Sequence, residues 1–193
     1  MLRQRSLHDP LLHEPALQLL SVMKKTNELT LSAILTALGV IFLLFGRLVP
    51  SLDIVAILFA SMPIVFAMLE LRRIWPYLIY FATSALAMML FFSFVSLEYL
   101  LFGGIYPIVK YYFEKLPRRI ALIPKLVFFN LVAFGALSLG KVLFGTELAV
   151  SRELLIPLWL LANLTFLIYD LLMTHLIQRY FTLIRPKIQR FLK

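Results

Sequence analysis

The chain has 193 residues, of which 62% are hydrophobic and 15% charged, with a mean hydropathy of +0.92. A soluble domain of this size has too much surface to hide that share of apolar side chains, so the solvent for most of the chain is lipid. The net charge of +9 then reads as membrane topology rather than a nucleic-acid surface, and the lack of cysteine excludes disulfides, thiol nucleophiles and thiolate metal sites.

In chain order, residues 1–27 come first, a basic lead with scattered leucines and prolines at Pro10 and Pro15. The apolar run after Lys25 is too long for the hydrophobic region of a cleavable signal peptide. An interfacial helix on the inner leaflet and a partly ordered tail are both compatible with the segment. Residues 28–193 form the membrane domain, in which six apolar stretches approach the length a bilayer requires. They cover 29–46, 54–71, 74–94, 97–112, 120–144 and 154–180. The fourth is short and interrupted by Gly103, Gly104 and Pro107, which predicts a kinked helix lining a cavity. The chain contains no internal repeat and no Gly/Ser linker.

The basic residues test this count. With six spans and both termini in the cytoplasm, sixteen of the nineteen Lys and Arg side chains fall on the inner side, and only Arg47, Lys141 and Arg152 on the outer. Such a split at every loop is hard to obtain with a wrong number of spans. The expected fold is therefore an all-α integral membrane protein of about six transmembrane helices.

Enzymatic motifs are missing: there is no P-loop, no HExxH and no nucleophile elbow. His8, His13 and His175 are scattered, with no metal-ligand spacing, and no ring-forming selectivity filter appears. Neither a catalytic residue, a cofactor nor a metal is expected. The first span is more informative. It opens LTLSAILTALGV, in which Ala33 and Ala37 are four residues apart and share one helix face, with Ser32, Thr36 and Gly39 nearby. Small residues at this spacing let two membrane helices approach closely, either within the chain or with a partner.

A basic lead, this LTLSAILTALGV segment, the Pro-containing loop GRLVPSLD and six spans in about 190 residues resemble the substrate-binding S component of energy-coupling factor (ECF) transporters. The resemblance implies that Ala33 and Ala37 dock against a coupling transmembrane subunit that works with two cytoplasmic ATPases. It also implies capture of a small molecule, a vitamin or precursor, at the outer side of a bacterial plasma membrane, with no hydrolysis by this chain. It carries no signature for one particular ligand.

Candidate ligand residues lie in the outer half. Arg47 and Asp53 flank Pro50 in the first outer loop and either clamp a polar ligand or mark the membrane boundary as a solvated pair. Glu98 and Tyr99 open the fourth span, Tyr99 also fitting the aromatic interface belt, and Tyr106 sits deeper. Trp159 and Asn163 share a face of the last span. They offer a stacking plane and an amide to a planar heterocycle, or else an interface anchor and a bond to a neighbouring helix. Asn130 lies in the middle of the fifth span, where an unpaired amide is costly. Asp170 is an acid well inside the sixth span, either a functional carboxylate, as in proton coupling, or one half of a structural ion pair for which Lys125 is the expected partner. The basic, aromatic inner loop from Lys110 to Arg119 suits membrane lipids with anionic headgroups. Two rivals follow from the same sequence. A small multi-span scaffold recruiting envelope-assembly partners predicts polar intramembrane residues that pair with one another. A lipid- or isoprenoid-modifying enzyme requires Asp53, Glu98 and Glu147 to converge.

Overall fold

The computed structural model of the chain describes residues 10–71, 74–145 and 152–184. Among these every regular element is helical. The order is α1 (Pro10–Leu48), a 3₁₀ turn (Pro50–Leu52), α2 (Asp53–Glu70), α3 (Trp75–Leu90), α4 (Phe94–Glu98), a π turn (Tyr99–Gly103), α5 (Tyr106–Phe113), α6 (Arg118–Phe144) and α7 (Arg152–Arg179), which runs into a second π turn (Tyr180–Ile184). Four segments, Lys25–Leu48, Asp53–Glu70, Ile120–Leu143 and Leu154–Thr182, are long and apolar enough to cross a membrane. The helix α3, with 16 residues, is apolar but shorter.

The helix α1 has 39 residues and runs unbroken from the basic lead into the first apolar stretch. At 1.5 Å per residue it extends about 58 Å, roughly twice the hydrocarbon core. The lead from residue 10 to 27 therefore continues the first membrane helix; residues 1–9, including His8, lie outside the described residues.

The fourth expected span is not one helix. It divides into α4, the π turn and α5, and the break is explained by its packing. Ser93 caps α4, accepting from the Ser96 amide while Ser96 accepts from the Ser93 amide. A Cβ on Gly103 would lie 2.2 Å from Ile57 Cγ2, and one on Gly104 would lie 2.5 Å from Tyr80 Cδ2. Glycine at both positions lets the π turn press against α2 and α3. Its carbonyls are then recovered from neighbours: Tyr80 Oη donates to Leu100 O at 2.7 Å, and Ser61 Oγ lies 2.7 Å from Gly103 O. Irregular backbone at membrane depth persists only where protein supplies such partners. Tyr99, a candidate for the aromatic belt, is turned inward by the same break and is fully buried, with Oη 3.4 Å from Ala60 O.

Two apolar cores result. The first joins α1, α2, α3 and α4 around Leu43, Ala60, Ile64, Ile79 and Tyr99. Gly39 of α1 lies against Thr83 of α3 there. The second joins α2, α5 and α7 through Leu58, Tyr106, Phe166, Tyr169 and Met173, with Phe102 and Phe129 packed on it. Ser61 links them, since its Oγ is 3.1 Å from Tyr169 Oη. At the end of the bundle that carries Glu114, further bonds tie the helices: Trp75 Nε1 donates to Glu28 Oε2 at 2.9 Å and Tyr180 Oη to Glu70 Oε1 at 3.0 Å. The opposite end carries Asp53, and there residues 132–137 of α6 and 155–165 of α7 line a shared gap.

Candidate functional site

Among the described residues of the membrane domain, a cavity lies towards one end and a charged cluster towards the other. Towards the Asp53 end, a cavity of about 760 Å³ opens between α2, α4, α6 and α7. Its walls are apolar and rich in aromatic rings: Phe94, Phe102, Phe129, Trp159, Phe166 and Tyr169. Glu98 is the one charged residue among its described lining residues. The ring cluster forms the floor, with Phe129 and Phe166 stacked at 4.6 Å and Phe102 against Tyr106 at 5.1 Å. Glu98 is half-buried and receives no hydrogen bond or ion pair from any described residue. Asp53, within electrostatic range of Glu98, has one carboxylate oxygen buried without a hydrogen-bond partner.

Beneath the aromatic floor lies the second feature. Asp170 of α7 sits between two lysines: Lys125 Nζ is 2.9 Å from Oδ2 and 3.1 Å from Oδ1, and Lys110 Nζ donates to Oδ1. Tyr106 Oη donates to the same oxygen, and Thr174 Oγ1 is 2.8 Å from Lys110 Nζ. Glu114, at the edge of the cluster and more open to solvent, reaches Lys110 at 2.9 Å and Lys125 at 3.4 Å. Two lysines and two carboxylates balance to no net charge. Lys110 is 1% exposed. This corrects its assignment to a lipid-facing loop: Lys110 follows Tyr106 by one turn of α5, on the face turned to α7. The expected Asp170–Lys125 ion pair is present, with Lys110 as a second partner. Its signal in the sequence was the i, i+4 spacing from Tyr106, which becomes meaningful only once α5 is known to be a separate helix.

The remaining candidates are distributed as follows. Glu98 and Trp159 both line the cavity. Asn130 and Asn163 do not; each amide faces the other, with Asn130 Nδ2 donating to Asn163 Oδ1 at 2.9 Å and Asn163 Nδ2 to Asn130 Oδ1 at 3.3 Å. Each also donates to a carbonyl one turn earlier in its own helix, Leu126 and Trp159 respectively. Tyr106 lies beneath the floor, fully buried and committed to Asp170. Arg47 is exposed, and no ion pair joins it to Asp53. Of the three acids, Asp53 and Glu98 lie within electrostatic range of each other, and Glu147 falls outside the described residues. His175 is exposed on α7, its Nδ1 3.0 Å from Leu171 O. Ala33 and Ala37 are both exposed, whereas Ser32, Thr36 and Gly39, roughly a quarter to a third of a turn round the helix, are buried. The small residues of α1 thus serve two faces, one packed within the chain and one open.

Comparison with protein-family models, curated proteins and solved structures gives no match to this chain.

Proposed function

We propose that this chain is the substrate-capturing membrane subunit of a modular ATP-driven uptake transporter, binding a small molecule in the cavity at the Asp53 end. In this reading the Asp53 end faces outward, the six membrane segments place both termini in the cytoplasm, and the membrane is a bacterial plasma membrane. The observation that carries the reading is the cavity of about 760 Å³. That volume lies in the range of small-molecule sites, and an apolar wall with one convergent polar group is their usual composition. The exposed Ala33 and Ala37 supply a smooth strip of α1 on which a coupling subunit can pack closely. Glu98 and Trp159 are the ligand-contacting residues; Asn130 and Asn163 hold α6 to α7.

The test is affinity purification of the tagged chain from its native membrane in mild detergent, followed by mass spectrometry. Recovery of two ATPases and a coupling membrane subunit, lost on Ala33→Trp/Ala37→Trp substitution, is expected. Recovery of the chain without ATPases, or retention of them by the double variant, would overturn the docking assignment.

One set of observations favours the scaffold reading: Asn130 with Asn163, and Asp170 with its lysines, are polar intramembrane residues that satisfy one another. A scaffold gives no reason for an aromatic cavity with an unpartnered carboxylate, and enrichment of envelope-assembly proteins in the same purification would favour it.

A further inference from the structure

From the chemistry of the cavity wall we infer that its ligand is an organic cation with an apolar body, a quaternary ammonium or a protonated amine carried on rings or chain. The inference rests on the proposed capture role of this cavity and specifies what it captures. Three observations lead to it.

The first is the wall itself. Six of the lining side chains are aromatic, contributed by α4, the π turn, α6 and α7. An aromatic face carries the negative part of the ring quadrupole, and a cation held within about 6 Å of it is attracted, the more so when water is excluded. The second is the charge balance. Glu98 projects into this space with no donor from any described residue, and no basic side chain is among the described lining residues. Asp53 adds negative potential from the rim, with one oxygen buried and unbonded. A carboxylate left in an apolar site is costly unless a cation or donor meets it. Lys110 and Lys125 are engaged by Asp170 on the far side of the aromatic floor. The third is the contrast within the molecule: where this fold buries an acid for structural reasons, as at Asp170, it supplies the counter-ions from its own chain. At Glu98 it does not. An anionic ligand would meet Glu98 and the ring faces with the wrong sign; a neutral donor could hydrogen-bond the carboxylate but would leave its charge unbalanced and the ring faces without a cation.

The chain reports on this site directly. Its two tryptophans are Trp159, in the cavity, and Trp75, which bonds Glu28 at the other end of the bundle. A Trp75→Phe variant of the full chain, in nonionic detergent, leaves Trp159 as sole tryptophan emitter. The probes are tetraphenylphosphonium and tetraphenylborate, which match in shape and differ in the sign of charge. Saturable change of Trp159 emission with the phosphonium is expected, and the further substitution Glu98→Gln is expected to weaken it by about tenfold or more, the scale of losing one desolvated charge partner. The same substitution is expected to leave the borate response unchanged or stronger. The melting temperature of the Glu98→Gln chain, measured alongside, separates loss of the site from loss of the fold. A phosphonium response that does not saturate, or that is the same with Glu98→Gln in a folded chain, would overturn the inference. So would tighter binding of the borate to the chain that keeps Glu98 than to its Glu98→Gln variant. Co-purification of the ATPases is a separate readout. If they are recovered while the phosphonium fails, the ligand class is wrong and the transporter reading stands. If the phosphonium binds and no ATPase is recovered, the site stands and the transporter reading falls.

Discussion

The membrane domain holds acids of two kinds, and the contrast between Asp170 and Glu98 is instructive. Asp170 is surrounded by Lys110, Lys125, Tyr106 and Thr174, drawn from α5, α6 and α7, so that a charge in lipid becomes a three-helix joint. Glu98 stands in an aromatic cavity between α4, α6 and α7 with no partner from the described chain. The first is satisfied within the molecule; the second is met by no described residue, and a partner for it is what the proposed ligand would supply. Both are carboxylates set among apolar helices, so it is the company each keeps that separates the structural charge from the one proposed to bind a ligand.

Removing one member from each group is the sharpest way to break this contrast. Asp170→Asn leaves Lys110 and Lys125 facing each other near a neutral amide, with Glu114 at the edge. A loss of about 3–5 kcal/mol is expected for such a broken buried pair, read as a lower midpoint in thermal or SDS-induced unfolding. Lys110→Met should cost less than Asp170→Asn, because Lys125 still neutralises the aspartate. Equal losses would mean that the two lysines do not share it.

The wall between the two regions is the next point of attack. Gly103→Ala drives a Cβ into Ile57 at the π turn, for which an overpacking cost of about 1–3 kcal/mol is expected. Combining it with Ile57→Ala should recover part of that cost in a double-mutant cycle. Additive losses would show that the π turn is not held by this contact.

A smaller effect is expected where α6 meets α7. Asn130→Leu leaves the Asn163 amide with one fewer partner, and intramembrane side-chain hydrogen bonds of this kind are worth about 0.6 kcal/mol on average and up to about 1.7. The double variant Asn130→Leu/Asn163→Leu should be closer to the parent than the sum of the singles. Should either single variant abolish ligand binding at unchanged stability, the amides would have a role in the site beyond joining the helices.

The smallest effect on stability is predicted at Glu98. Glu98→Gln removes a charge that no described residue balances, so the melting temperature should stay within a change equivalent to about 0.5 kcal/mol, or rise. A loss as large as that of Asp170→Asn would erase the distinction between the two acids.

Much of this architecture was legible in the chain. Helical content, membrane solvent and the approximate limits of the long apolar helices follow from composition and run length, because lipid admits only segments that satisfy their own backbone. The pairing of Asp170 with Lys125 was readable for a related reason: an acid at that depth has few ways to be neutralised. Other features were not. The lead before Leu29 carries prolines and charges that suit an interfacial helix or a tail equally, and its continuation from residue 10 into the first membrane helix as one element was not readable. The glycines of the fourth stretch signalled a break, but a break into α4, a π turn and α5 depends on Ile57 and Tyr80 pressing from α2 and α3. Lys110 read as a loop residue because its partners lie about sixty positions away in α7.

By itself, then, the sequence determined what each segment is dissolved in and which side chains are too polar to face lipid alone, since both follow from local transfer energies. Which of those side chains found one another was decided by tertiary packing. Asn130 turned to Asn163, Lys110 to Asp170, and Ala33 with Ala37 outward while Ser32 and Thr36 turned in, through the angular positions of helices fixed by contacts distant in sequence. The position of Glu98, apart from every described basic side chain, was decided in the same way, because the distance from a carboxylate to a cation is a property of the packed bundle and not of the chain.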